Sequence, residues 1–380
     1  MNEPLLMAST ASQWLGPARM ARALAKAGCE VSLLAPKDSF AAKSRFVARQ
    51  HVLPGNAIPM EWLRSLIAAV DESGARLVVP CDEMAVRLLF ALVLEPPLDL
   101  PSAVRSRLET LITASLGDPA FYQTSIDKIL LPPAAEALGI RVPRYALADG
   151  VEEAIAFAAT LGYPLVLKRR FGFAGEGVAI VTDADHLVRE ARQLLSPDQL
   201  DLGQRHPRQL LAQAFIRGAY HSQAAATWRG SVLASFAWVR QISTLACKGQ
   251  TSVLRFVHSP ETGVATATLC AAFGLSGFCN AQFVLDENGD AYLLEINRRI
   301  VTHMHTGERV GADLAVAMAR QLRGLPPEPP AQRASADGPS VAIFPRELFR
   351  DPSSRWLRDC PSDVPWDEPE LIRAMMAMRH

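Results

Sequence analysis

The sequence predicts an α/β domain followed by an α+β region. Apolar strand candidates alternate with helical periods through residues 1–80, the pattern of βαβ units and a parallel sheet. Further along, strands come in adjacent runs joined by turn residues, which favours antiparallel pairing. Hydrophobic residues make up 49% of the 380-residue chain and charged residues 21%, enough apolar surface for sizeable cores and too much for a disordered chain.

At the N-terminus, Leu5–Ser9 reads as a strand, Gln13–Ala27 as a helix ended by Gly28, and Val31–Ala35 as a second strand. Ile58–Ser73 is a second helix and Arg76–Pro80 another buried strand. Residues 1–115 thus form a doubly wound, Rossmann-like domain. Its first loop, Ser-Thr-Ala-Ser, lacks G-x-G-x-x-G, so no dinucleotide site is read there. Asp127–Gly139 reads as a helix stopped by Gly139 and Pro143, and Glu152–Leu161 as another. Strands follow at Tyr163–Lys168 and Val178–Thr182, around a glycine-rich stretch, then a helix at Asp185–Leu195 and a strand at Gln209–Phe215. Ser231–Ile242 and Ser252–Val257 are strands, Glu261–Phe273 a helix, and Asn280–Leu285 with Ala291–Asn297 a hairpin around residues 286–289. After the helix Asp313–Arg323, Leu325–Pro330 is a stiff proline linker. The last 50 residues, with Trp356 and Trp366, are too few for a core of their own and are expected to pack on the main body.

Lys plus Arg equals Asp plus Glu at 39 each, which argues against a dominant electrostatic grip on nucleic acid or an acidic membrane. The six cysteines contain no C-x-x-C pair and suit a reducing compartment. Met1–Met7 has no basic segment or long apolar run of a secretory signal. The uncharged run Val264–Leu285 is long enough to span a bilayer, but Gly274, Gly277, Asn280 and Gln282 divide it into helix, turn and strand. A cytoplasmic protein is expected.

Four segments carry the chemistry. In Ala291–Arg299, strand alternation puts Leu293, Glu295 and Asn297 on one face. A four-residue loop would pair Leu285 with Asp290 and Gln282 with Leu293, so that Gln282, Glu295 and Asn297 converge as hard oxygen donors suited to Mg²⁺. A strand end with solvated polar residues is the plainer account. Leu165-Val-Leu-Lys168 is a buried strand ending in lysine, and Gly172, Gly175 and Gly177 would let backbone N–H groups approach phosphate. The plainer account is a glycine-rich hairpin with a surface lysine. No Walker A pattern is present. Gln209–Gly218 reads as a core strand and Asp127-Lys128 as a solvated helix face when each is taken alone.

Together and in this order the segments resemble the ATP-grasp superfamily. The chain reads D-K … G-x-x-V-P, P-L-V-L-K with a glycine loop, Q-x-F-I-x-G, then N-x-Q-F … Y-L-L-E-I-N-R-R, from about 120 to 318. The final E-I-N-x-R is most similar to the carbamoyl-phosphate synthase-like and biotin carboxylase-like branch. The resemblance implies a two-lobed ATP-grasp domain over 116–324, with a small ATP-covering lobe at about 144–215 and an extension at 325–380. It implies that Lys128 and Lys168 contact nucleotide phosphates under the loop of Gly172, Gly175 and Gly177. Gln213, Phe215 and Ile216 would line the adenine pocket, and Tyr220 would stand at the ribose. Gln282, Glu295 and Asn297 would hold Mg²⁺, with Mn²⁺ as an alternative, and Arg299 would face the transferred phosphoryl group. Three residues depart from the pattern: Gln213 and Tyr220 where many members carry glutamate, and Glu176 where a basic or neutral residue is common.

The implied reaction phosphorylates a carboxylate and passes the acyl phosphate to an amine, with small molecules as partners and room for a homodimer. The alternatives are a bicarbonate-activating enzyme, against which stand the single ATP-grasp copy and the missing Met-Lys-Met site, and a non-catalytic ATP-binding or regulatory protein. Arg240, Lys248 and Arg255 lie where the family often binds an acceptor carboxylate, and Lys248–Ser252 is the candidate substrate loop. His303 and His305 suit a loop near the acyl phosphate better than a zinc site.

Overall fold

A computed structural model of the chain describes residues 2–54, 58–172, 175, 177–196, 208–244, 249–326 and 338–378. Strands β1 (Glu3–Ala8), β2 (Cys29–Pro36), β3 (Arg49–Leu53) and β4 (Leu77–Pro80) form a parallel sheet of order β3-β2-β1-β4. Helices α1 (Leu15–Lys26), α2 (Pro59–Ser73), α3 (Glu83–Leu94) and α4 (Ser102–Leu116) accompany it. Side chains alternate across the sheet, so Leu5 and Met7 join one core while Leu6 and Ala8 join another. α1 turns Leu15, Ala18, Ala21 and Leu24 to the first core at helical spacing. Asp82 caps α3 and also accepts from the Thr10 and Ala11 amides at 2.6 and 3.1 Å, fixing the loop after β1 against the start of α3. The sequence reading has neither β3, a polar edge strand, nor α3, whose apolar run shows no clear period.

The helix expected over 127–139 is confined to α5 (Leu131–Ala137). Asp127 stays outside it: its buried carboxylate accepts from the Ile129 amide at 2.8 Å and pairs with Arg170. A second sheet, β5 (Tyr145–Ala148), β6 (Leu165–Arg169), β7 (Val178–Val181) and β8 (Leu210–Ala214), is antiparallel in the order β5-β8-β6-β7. Helices α6 (Val151–Leu161) and α7 (Ala184–Leu194) share a core with Leu165, Leu167, Ala212 and Val181. Alternation then leaves Lys168 and Gln213 on the uncovered face.

The largest sheet holds β9 (Ala219–Trp228), β10 (Ser231–Ser243), β11 (Thr251–Val257), β12 (Gly277–Leu285), β13 (Ala291–Asn297) and β14 (Ser340–Ala342) in the order β13-β12-β9-β10-β11-β14. Its central strand β9 escapes the sequence reading because alanine is a weak strand signal. One face packs on α8 (Pro260–Ala272) through Ala225, Cys279, Ala281 and Phe283. The other carries Ala224, Phe236, Trp238 and Phe256 into the core shared with the N-terminal sheet and α9 (Leu314–Leu322). β14 extends the sheet, and α10 (Arg346–Arg350), α11 (Trp356–Asp359) and α12 (Pro369–Met376) follow; Leu371 and Met375 of α12 enter that same core. The uncharged run 264–285 is α8, a turn and β12, and among the described residues no helix is long and apolar enough to cross a membrane.

Candidate functional site

The site gathers at the end of β13, where three cations surround one carboxylate. Lys128 comes from the turn before α5. Its Nζ lies 3.4 Å from Glu295 Oε2 and donates to the Gly172 carbonyl at 2.7 Å. Lys168, from β6, donates to the Leu294 carbonyl at 3.5 Å. Asn297 Nδ2 donates to Glu295 Oε1 at 3.3 Å. Beyond the strand, Arg299 Nε sits 3.5 Å from Glu83 Oε2, and its guanidinium lies 5.4 Å from the Trp14 ring centre. The neighbouring Arg298 turns inward to the Leu116 and Ser276 carbonyls and serves the fold.

The hairpin register differs from the expectation in two ways. Leu285 pairs with Ala291, so the loop is one residue longer, and a bulge between Gln282 and Phe283 sets Gln282 opposite Glu295. The bulge reverses the alternation at Leu294. Leu293 therefore packs with Ile296 in the α8 core and does not share the Glu295 face. Gln282 is brought closer to Glu295 than strict alternation allows, and its Oε1 accepts the Tyr220 hydroxyl. Tyr220, expected at the ribose, thus directs its hydroxyl toward the oxygen donors, and the Arg240 guanidinium lies 4.1 Å from its ring centre.

Burial alone would raise the Glu295 carboxyl, but Lys128, Lys168 and Arg299 outweigh it and hold it below the ordinary range. Burial pushes Lys168 down to about 8, Lys128 adds to the shift, and Glu295 opposes it. Burial raises Glu83 despite Arg299 and Lys128. Three cations against one firmly ionised carboxylate leave the site positive, a setting for an oxyanion. The donors Gln282, Glu295 and Asn297 are all hard oxygens, which fits Mg²⁺. Among the described residues no cluster of three His, Cys, Asp or Glu is placed for a metal.

The remaining expected residues are spread more widely. Gly177 directly precedes β7 with φ +72°, and a Cβ there would press on Arg169 and the Phe171 carbonyl at 3.2 Å. Gly175 also has a positive φ; Glu176 lies outside the described residues. Gln213 is buried on the uncovered face of the small sheet, and its Oε1 meets no hydrogen-bond partner among the described residues. Phe215 and Ile216 are half-buried just beyond β8. Cys247, Lys248 and most of the proline linker also lie outside; of the rest of the candidate substrate loop, Thr251 and Ser252 open β11. Arg240 and Arg255 occupy opposite faces of the sheet, because Arg255 pairs with Val239 and shares the α8 side with His221. His303 rests on Trp238 with ring centres 4.6 Å apart, while His305 Nε2 is 3.1 Å from Asp363.

Sequence reasoning missed Glu83. The signal was available, because Asp82-Glu83 directly follows the carboxyl end of β4, where doubly wound sheets place ligand-facing groups.

The arrangement has known counterparts. Residues 127–220 match the family described as carbamoyl-phosphate synthase L chain, ATP binding domain. Residues 208–342 match that described as ATP-grasp in the biosynthetic pathway with Ter operon. Both matches are to ATP-grasp domains, and together they make residues 127–342 an ATP-grasp region. It is 27% identical over 183 residues to the D-alanine--D-alanine ligase of Pseudomonas entomophila, covering 46% of this chain and 54% of the relative. It is 26% identical over 250 residues to the carbamoyl phosphate synthase large chain of Thermus thermophilus, covering 60% of this chain and 24% of the relative. The ATP-grasp chain thus spans about half of the first relative and a quarter of the second. Its fold is similar to the biotin carboxylase of Campylobacter jejuni, with a TM-score of 0.66 at 16% identity over 89% of this chain and 74% of that one.

Proposed function

We propose that this ATP-grasp chain is an ATP- and Mg²⁺-dependent ligase that activates a carboxylate as an acyl phosphate and joins it to an amine. The observation that carries this reading is Glu295, held ionised between Lys128 and Lys168, with Gln282 opposite it and Arg299 beyond. That group can compensate a polyphosphate and orient a phosphoryl transfer, and it has no other evident task in the fold. The Pseudomonas ligase and the Thermus synthase are named for reactions of this broad kind.

Lys128 and Lys168 neutralise phosphate oxygens, and Gly172, Gly175 and Gly177 cover them with backbone N–H groups. The sheet of residues 145–214 is the covering lobe, and the unpartnered Gln213 Oε1 with Phe215 and Ile216 faces the base. Gln282, Glu295 and Asn297 would hold Mg²⁺, or Mn²⁺ in its place, which would supply charge compensation to the phosphates. With one carboxylate among three cations, these residues favour a metal that arrives with the nucleotide over a free one. Tyr220 orients Gln282 and is a positioning residue. Arg299, steadied by Glu83 and Trp14, meets the charge that grows on the transferred group. In the first step a carboxylate oxygen attacks the γ-phosphorus and the bond to the β–γ bridging oxygen breaks, releasing ADP. In the second an amine nitrogen attacks the acyl carbon, the carbon–oxygen bond to phosphate breaks, and the nitrogen loses a proton.

The test is ADP release by the full chain with MgATP against crossed panels of carboxylic acids, including bicarbonate, and amines. Release that requires one acid and one amine supports a ligase. Release with bicarbonate and no organic acid indicates carboxylase-type activation, and MgATP binding without release under any pairing indicates a regulatory protein.

A further inference from the structure

Lys128 owes its place to the segment that follows β6. Its backbone N–H donates to the Arg170 carbonyl at 3.1 Å and its Nζ to the Gly172 carbonyl at 2.7 Å. Arg170 in turn pairs with the buried Asp127 carboxylate and donates to Gln209 Oε1 at 3.2 Å. Lys128 is thus gripped on both sides of one residue, Phe171. The Phe171 side chain does not join the core of the small sheet. It enters that of the N-terminal domain, which also holds Phe90 and Tyr122, stacked 4.0 Å apart. There the Arg87 guanidinium of α3 lies 3.9 Å from the Phe171 ring centre. Arg87 and Phe171 are each more than nine-tenths buried.

An arginine within an apolar core is costly unless its charge is met, and a methionine would fill the same volume. The Arg87 charge has two counterparts. The Phe171 ring face is one. Glu83 is the other: it stands one turn earlier on the same face of α3, and Arg87 acts electrostatically on its carboxyl. Glu83 also holds Arg299, at 3.5 Å. One helix of the N-terminal domain therefore serves both sides of the site. It meets Arg299 through Glu83, and Lys128 through Arg87 and the backbone of residues 170–172. The Asp82 side chain, accepting from the Ala85 amide at 2.9 Å, fixes the start of that helix.

We propose that Arg87 and Phe171 are positioning residues that set Lys128 against the nucleotide phosphates. A ring pinned under a desolvated guanidinium fixes the backbone on either side of it, and that backbone carries both carbonyls that hold Lys128. Arg87 and Phe171 act through Lys128, as Glu83 acts through Arg299. The consequence is that the N-terminal domain, which contributes no phosphate-facing lysine, still controls how tightly the phosphates are held. This deepens the ligase reading and rests on its placing of Lys128 at the phosphates.

Calorimetry of the full chain in Mg²⁺ compares ATP with adenosine, which has no phosphate for Lys128 to meet. Lys128→Met is the reference and should weaken ATP while sparing adenosine. Arg87→Met, and Phe171→Leu as a second variant that keeps an apolar side chain in the core, should each weaken ATP about tenfold and leave adenosine within about twofold. Arg87→Lys keeps a cation over the ring and should recover most of the loss. In the Lys128→Met background, Arg87→Met should cost no further ATP affinity, because the two changes remove the same contact. Equal losses of ATP and adenosine, or an Arg87→Met loss that persists in full without Lys128, would show that the pair holds only the fold and overturn the proposal. ATP weakened by Lys128→Met but by neither Arg87→Met nor Phe171→Leu overturns the proposal alone. ATP affinity unchanged in Lys128→Met removes that lysine from the phosphates, and the proposal falls with that part of the ligase reading.

Discussion

Two groups of cations, one buried and one half-buried, lie against one face of the large sheet. Lys128, Lys168 and Arg299 surround Glu295 and Glu83, with contacts of 3.4 and 3.5 Å. Among the described residues, Arg240 and Arg346 donate to Thr251 and Thr302. The first group carries its own counter-charge: despite burial, Glu295 is held ionised by the cations around it, which remain in excess. The second has hydroxyl and carbonyl acceptors in place of carboxylates. On the ligase reading, the first group is the one that would admit a metal with its nucleotide.

The comparison breaks most visibly at Glu295. Glu295→Ala removes the only firmly ionised carboxylate among the three cations and should take Mg²⁺-dependent ADP release to background with the fold intact, since the side chain is 28% exposed. Activity near wild type at saturating Mg²⁺ would remove Glu295 from the metal set. Lys168→Met should weaken ATP binding by ~2 kcal/mol, about thirtyfold, the scale of a lost charge-assisted contact. Lys168 is charged below about pH 8 and neutral above. Wild-type ATP affinity measured by calorimetry should therefore fall as pH rises through that value, while the variant's stays flat; parallel profiles would return Lys168 to a bystander.

Glu83→Gln sharpens the comparison, because it turns Arg299 from a compensated cation into an uncompensated one. kcat should drop about tenfold as Arg299 loses its orientation, with ATP affinity unchanged. The raised Glu83 carboxyl is ionised above its shifted value and protonates earlier than an ordinary glutamate as pH falls. Wild-type kcat should then converge on the variant's in acid, and a constant ratio across pH would disprove the link. The smallest effect is expected from Tyr220→Phe, which removes one hydrogen bond to Gln282. The Mg²⁺ concentration for half-maximal activity should rise by no more than about fivefold, with discrimination between ATP and 2′-deoxy-ATP unchanged. A selective loss of that discrimination would put Tyr220 at the ribose after all.

The family, the N-terminal parallel sheet and the hairpin of β12 and β13 were legible in the chain, because apolar period, turn residues and an ordered set of motifs are local properties. Lys128 and Lys168 could be named from their motifs, although Asp127 and Lys128 lie in a turn and not on the helix expected there. Other features were not local. A bulge, which depends on how β13 settles against β12, decided that Leu293 packs away from Glu295 and Gln282 opposite it. Ala-rich β9 earns its central position from small side chains fitting between neighbours, a packing fact without a periodic signal.

The sequence by itself determined which chemical groups were available: two lysines, a glutamate between amides, and an arginine after them, on strands whose class followed from their composition. Only the tertiary structure decided which of these charges compensate one another. Glu83 reaches Arg299 from more than 200 positions away, and Arg346 meets the Thr251 that Arg240 also contacts, from an extension too short for a core of its own. Coulomb energy depends on distance through space and on burial, and neither is a function of separation along the chain.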